Sequence, residues 1–227
     1  MEGLLGADPG LDIGRPRRCN AGGRYSVGGV RDATAGASVT SVAKLYFRYS
    51  AMNAGKSTAL LQVAHNYEEL GRSVWIFTSA LDDRYGRGLV TSRLGPQRRS
   101  DTFDEHLDFS ERLAGADDIS CVLVDESQFL TPQQVRQLHR YAHVVGIPVI
   151  CYGIRSDFLG EPFPGAAYLL TLADSVEELK NVCPCGKKAT MNVRFDEHGA
   201  RITTGEQIAI EGAVRYVPMC GSCFYES

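Results

Sequence analysis

The 227-residue chain lacks a basic field: its formal net charge is −3. Proteins that neutralise many phosphates of a nucleic acid or an anionic membrane carry excess Lys and Arg, so neither partner is expected. No apolar run approaches the length of a bilayer-spanning helix, so no membrane segment is expected either. A secretory leader is missing, because Leu4 and Leu5 are followed at once by Gly6, Asp8 and Pro9. Arg15, Arg17, Arg18 and Arg24 give weak support to a transit peptide, and Glu2, Asp8 and Asp12 count against it. A cytoplasmic protein is the expectation. Internal repeats are absent. The five histidines show no ligand spacing with the cysteines. His139 and His143 stand at i, i+4 on an expected helix with no evident third ligand, and they read as structural.

Hydrophobic residues make up 44% and charged residues 22%, a soluble globular composition. The length suits one ordinary core with a small appended unit. Residues 1–42 are rich in Gly, Ala and Ser without sustained periodicity and read as a disordered extension. From Lys44 a strand and helix rhythm begins. Lys44 to Tyr49 is the first expected strand. Leu60, Val63, Ala64 and Tyr67 then fall at i, i+3, i+4 and i+7, an amphipathic helix that Gly71 ends. Ser73 to Thr78 is a second strand. Residues 79 to about 103 read as a long, mobile loop, and Asp104 to Leu113 as a short helix. Ser120 to Val124 is a continuous apolar run, as in a strand covered on both faces. Thr131, Pro132 and Gln134 suit the N-cap, N1 and N3 of a helix whose Val135, Leu138 and Ala142 face the core. Ile147 to Tyr152 is another buried strand. The alternation predicts an α/β fold with a parallel sheet covered by helices over 43–180. A small second unit at 181–227 is marked by short segments around cysteines.

Ser50-Ala51-Met52-Asn53-Ala54-Gly55-Lys56-Ser57 follows the first strand and opens a helix. Backbone N–H groups and a helix N-terminus there form an anion site. Lys56 would reach the outer phosphates of a nucleotide and the Ser57 hydroxyl would hold Mg²⁺. The phosphate-loop pattern G-x-x-x-x-G-K-[ST] is met except at its first position, which is Ser50. Asp125 and Glu126 end an apolar strand, the second signature of such nucleotide-binding proteins. Strand carboxyl ends line the ligand crevice of a parallel sheet, so Asp125 would face Mg²⁺ beside Ser57. Glu126 could accept the proton of an attacking hydroxyl or water, which both kinases and ATPases use. Asp82 and Arg84 follow the second strand. They could hold metal-bound water and neutralise phosphoryl charge, or be a solvated loop.

Cys183, Cys185, Cys220 and Cys223 form two close pairs, enough for a closed structural Zn²⁺ site, with free thiols as the alternative. Such a site would clamp the loop from Gly186 to Met219. Tyr216 in that loop could cover a small planar ligand or be ordinary packing. Cys121 and Cys151 look like buried strand residues.

Five features fall together in one order: SAMNAGKST at 50–58, DDRYG at 82–86, VLVDESQFL at 122–130, CYGIRSDFLGEPFPG at 151–165, and the cysteine pairs with Arg215-Tyr216 between them. From Lys44 onward the chain resembles the small, zinc-containing (type II) thymidine kinases of bacteria and animal cytosol. The resemblance implies a P-loop NTPase-like sheet with a zinc-binding lasso domain. It implies ATP-dependent phosphorylation of the thymidine 5′-hydroxyl, with Glu126 as general base. ATP would be held by Ser50 to Ser57 and by Asp125, Glu126, Ser127 and Gln128. Asp125 and Asp82 would be associated with Mg²⁺ and Arg84 with the phosphates. Met52, Phe129, Phe158, Phe163 and Tyr216 would lie near the thymine. A homotetramer and feedback inhibition by dTTP are implied too. Glu211 stands where many members carry Gly, and Asn192 where some carry Thr near the thymine methyl. The rival readings are a P-loop ATPase with a zinc ribbon for nucleic acid and a non-catalytic nucleotide-binding module. The acidic balance speaks against the first, and intact Lys56, Ser57, Asp125 and Glu126 against the second.

Overall fold

Strands with no polar face need cover on both sides, and the chain supplies it. In the computed structural model, which describes residues 43–82, 86–116, 118–208 and 214–226, six parallel strands form one sheet. The extension 1–42 lies outside the described residues, as do Arg84 and Glu211. In chain order, β1 (Leu45–Tyr49) leads into α1 (Lys56–Glu69), then β2 (Ser73–Ser79). A hairpin of β3 (Leu89–Thr91) and β4 (Gln97–Arg99) precedes β5 (Asp101–Phe103) and the single turn of α2 (Phe109–Arg112). There follow β6 (Ile119–Val124), a 3-10 turn (Ser127–Phe129), α3 (Pro132–Val145), β7 (Val149–Gly153), α4 (Pro164–Leu172) and β8 (Ser175–Glu178). The chain ends with β9 (Met191–Phe195), β10 (Arg215–Met219) and α5 (Gly221–Glu226). The sheet order is β5-β2-β6-β7-β1-β8, and β9 and β10 pair antiparallel as a separate ribbon.

The alternation of side chains sorts the core into two layers. Leu45, Phe47, Val122, Val124, Val149 and Cys151 pack with Val135, Leu138 and Ala142 of α3 and Ala166 and Leu169 of α4. Ile76, Cys121, Leu123, Ile150 and Tyr152 point the other way, onto Leu60, Leu61 and Ala64 of α1. Burial on both faces is why β6 and β7 read as unbroken apolar runs. The α3 start is a capping box: Thr131 Oγ1 accepts from the Gln134 amide, and Gln134 Oε1 accepts from the Thr131 amide. At the end of α1, Gly71 (φ 67°) donates to Glu68 O and Arg72 N donates to Tyr67 O.

Two expectations are corrected. Residues 79–103 are not one loop but contain β3, β4 and the edge strand β5. Strands of three residues (LVT, QRR and DTF) are too short to carry an apolar run or a period for the sequence to reveal. The short helix begins later, at Phe109, because Asp108 caps it by accepting from the Ser110 and Glu111 amides. The sheet and the cysteine-bearing ribbon fall within one unit, Thr40–Ser227.

Candidate active site

The carboxyl ends of β1, β6 and β7 open into a cleft of about 890 Å³. The turn after β1 reaches Gly55 (φ 80°), a left-handed residue that caps α1 and turns the first amides of the helix toward the cleft. Lys56 folds back over this turn and donates to Ser50 Oγ and Ala51 O, each at 3.2 Å. Ser57 Oγ donates to Asp125 Oδ2 at 2.8 Å, joining the first turn of α1 to the end of β6. That hydroxyl and carboxylate are the oxygen donor set that a Mg²⁺ ion takes. Burial and the neighbouring Glu126 charge push the Asp125 carboxyl up to about 7, against the Ser57 hydrogen bond and the Lys56 charge. A divalent cation would relieve this stored repulsion.

Glu126 is held in the left-handed region at φ 50°. Its carboxylate Oε2 accepts a 2.6 Å bond from Gln128 Nε2, and Gln128 Oε1 accepts in turn from the Ile154 amide at 3.2 Å. Asn53 (φ 65°) and Glu126 are the two non-glycine residues with positive φ among the described residues, and both line the cleft. Such backbone strain gathers where a side chain must be aimed. The turn beneath Glu126 leaves no room at its neighbours. A Cβ on Gly165 would stand 2.5 Å from Leu130 O, and one on Gly153 would stand 2.8 Å from Gln128 Oε1.

Part of the cleft wall is apolar. Met52, Phe129, Phe158, Phe163 and Tyr216 all line it. Phe129 and Phe163 meet edge to face with centroids 5.7 Å apart. Both backbone groups of Met52 are pinned by the ribbon side: its amide donates to Asn192 Oδ1 at 2.8 Å, and its carbonyl accepts from Asn181 Nδ2 at 2.7 Å. Asn192 Nδ2 also donates to Ser156 O at 3.4 Å. Arg194 is buried with its guanidinium 3.6 Å from the Phe158 ring centre, and it donates to the carbonyls of Thr204 and Glu206. Gln207 reaches Asp157 Oδ2 at 3.2 Å. The ribbon loop is therefore tied to the phosphate-loop turn and the aromatic wall by side-chain amides and one buried cation.

The four cysteine sulfurs lie within 4.8 Å of one another. Cys183 and Cys185 stand 3.4 Å apart and Cys185 and Cys220 3.7 Å apart, far from disulfide length and near the edge of a tetrahedron of about 2.3 Å zinc–sulfur bonds. The Cys223 amide holds the Cys220 thiol below its ordinary range, which favours the thiolate a metal needs. The donor set fits Zn²⁺.

Of the residues expected at the site, Met52 to Ser57, Asp82, Glu126, Gln128, Phe129, Phe158, Phe163 and Tyr216 line this one cleft. Ser50, Ala51, Asp125 and Ser127 are buried and do not line it. Sequence reasoning missed Arg194 and Asn181. An arginine between the apolar Val193 and Phe195 of the strand MNVRF was the available signal.

The sequence matches the thymidine kinase family over residues 43–224. A thymidine kinase of Chromobacterium violaceum is 58% identical over 184 residues, covering 81% of this chain and 99% of its own. One of Albidiferax ferrireducens is 56% identical, covering 81% and 93%. One of Vibrio vulnificus is 50% identical over 189 residues, covering 82% and 98%. With the phosphate loop, the carboxylate pair and the four-cysteine cluster in place, the chain belongs to the thymidine kinase family.

Proposed function

We propose that the chain transfers the γ-phosphoryl group of ATP to the 5′-hydroxyl of thymidine, giving dTMP and ADP. The supporting observation is that one cleft is lined together by Lys56 and Ser57, by Glu126 and by the aromatic residues Phe129, Phe158, Phe163 and Tyr216. The loop amides and Lys56 bind the phosphates, while Met52, Phe129, Phe158, Phe163 and Tyr216 hold the base. Glu126, oriented by Gln128, takes the proton from the 5′-hydroxyl. That oxygen bonds to the γ-phosphorus, and the bond from phosphorus to the bridging oxygen breaks to release ADP. Ser57 and Asp125, with Asp82 acting through water, would hold Mg²⁺, which offsets phosphate charge when bound. Cys183, Cys185, Cys220 and Cys223 would hold Zn²⁺, a closed site that builds structure. Residues 43–180 serve as the ATP-binding part and 181–227 as the lasso over the base. Arg84 neutralises phosphate charge from the segment between β2 and β3.

Family membership supports three further expectations: a homotetramer, inhibition by dTTP, and a cytoplasmic location. No helix among the described residues is long and apolar enough to cross a membrane. Glu126→Gln tests the mechanism. It keeps shape and the contact with Gln128, so ATP binding should stay near normal while kcat falls roughly 10²-fold or more. A kcat within a few-fold of the parent would remove Glu126 from the proton-transfer role.

A further inference from the structure

Away from the cleft, three side chains that the proposed chemistry does not use converge at the other end of β1. His139 and His143 stand one turn apart near the end of α3, with ring centres 4.5 Å apart. Asp174 comes from the connection between α4 and β8. His143 Nε2 lies 3.1 Å from Asp174 Oδ1 and 3.0 Å from Oδ2. One ligand atom from each residue lies within 4.8 Å of the others. The sequence offered the two histidines without a third ligand; the fold supplies it from 31 residues beyond His143.

An ion pair between His143 and Asp174 accounts for two of these groups and leaves His139 unexplained. Among the described residues, His139 makes no hydrogen bond, and its ring stands against a second imidazole. Two neutral imidazoles and one carboxylate at this spacing match the ligand set of a borderline divalent metal, with positions left open for water. The Asp174 carboxylate is already oriented by a second contact, the Leu45 amide donating to Oδ2 at 2.8 Å. Backing of a metal-binding carboxylate by a hydrogen bond is the usual second layer of such sites.

We propose that His139, His143 and Asp174 form a second metal site, selective for zinc-class divalent ions and separate from the four cysteines. Occupancy would join α3 to the α4–β8 connection and, through Asp174, to the first residue of β1. The metal then braces the sheet at the end opposite the phosphate loop. It acts on stability and not on turnover, because none of the three residues lines the cleft. Its affinity is that of an open three-ligand site, weaker than that of four thiolates.

The test uses the whole protein with its tightly held zinc already present, measured by elemental analysis. Zn²⁺ is titrated by calorimetry into this protein and into His139→Ala, which leaves the His143–Asp174 pair intact. The expected result is a further equivalent of Zn²⁺ per chain, bound at least about 10-fold more weakly in the variant. Zn²⁺ should also raise the melting temperature of the parent more than that of His139→Ala. Unchanged kcat in His139→Ala shows that the variant is folded. No further equivalent in the parent, or equal affinity in the variant, overturns the proposal.

Discussion

Gly165→Ala, a substitution of one methyl group, should damage catalysis from a position that touches no substrate. The added Cβ would lie 2.5 Å from Leu130 O, 2.8 Å from Gln128 O and 2.9 Å from Ser127 O. All three are backbone atoms of the turn that carries Glu126, so no flexible side chain can move aside. An ordinary carbon–oxygen contact is about 3.3 Å, so the turn or the start of α4 must shift by roughly 0.8 Å. Overpacking of this kind costs about 1–3 kcal/mol, equivalent to a fall in melting temperature of roughly 2–12 °C for a unit of this size. A displacement near 1 Å at a reacting group costs about 100-fold in rate. Because Gln128 holds Glu126 through a 2.6 Å bond, most of the shift reaches the carboxylate. We expect kcat to fall roughly 10- to 100-fold, with ATP still bound, as measured by steady-state kinetics beside thermal melting. Gly221→Ala is the control, since nothing lies within 4 Å of a Cβ there. A Gly165→Ala enzyme with the parent's melting temperature and kcat would refute the reasoning that this turn is rigid and aims Glu126.

Asp125→Asn should stabilise the metal-free protein while abolishing Mg²⁺-dependent transfer. The folded-state pKa of Asp125 is raised, so its contribution is fully present below the ordinary carboxylate pKa and is lost as pH rises through about 7. The variant should therefore melt above the parent at higher pH, with the gap closing in acid; lower melting at all pH values would contradict the burial argument. Cys220→Ser should lose the tightly held zinc and lower the melting temperature, read by elemental analysis and calorimetry; retained zinc with unchanged melting would count against a four-sulfur site. Arg194→Ala should free the carbonyls of Thr204 and Glu206 and loosen the wall at Phe158. Each lost bond to a charged donor is worth about 1.5–3 kcal/mol. The KM for thymidine should rise about 10-fold or more while the KM for ATP changes little, and an equal rise in both would contradict a role confined to the base pocket.

The parts of this fold that the sequence makes legible are those whose cause is local. The run Cys121 to Val124 is apolar because both its faces are covered, and the Thr131–Gln134 box closes on itself within four residues. The phosphate loop is legible for the same reason: a strand, a turn with Gly55 and a helix follow one another directly. What was hidden depends on residues far apart. The edge strand β5 exists because Asp101 to Phe103 pair with Phe77 to Ser79, and three mixed residues carry no pattern of their own. Asn181 holds the Met52 carbonyl across 129 positions, and Asp174 meets His143 only after α4 has returned along the sheet. The role of Arg194 emerges only when Phe158 and the Thr204–Glu206 segment are brought around it.

The decisive experiment follows phosphate from γ-labelled ATP with Mg²⁺ in the presence of thymidine, deoxycytidine or no nucleoside. Labelled dTMP, little labelled dCMP and little phosphate release without nucleoside are expected, because Glu126 shares one cleft with the phosphate loop and the aromatic wall. ATP hydrolysis with no labelled nucleotide, especially if DNA stimulates it, would contradict a nucleoside kinase and favour an ATPase.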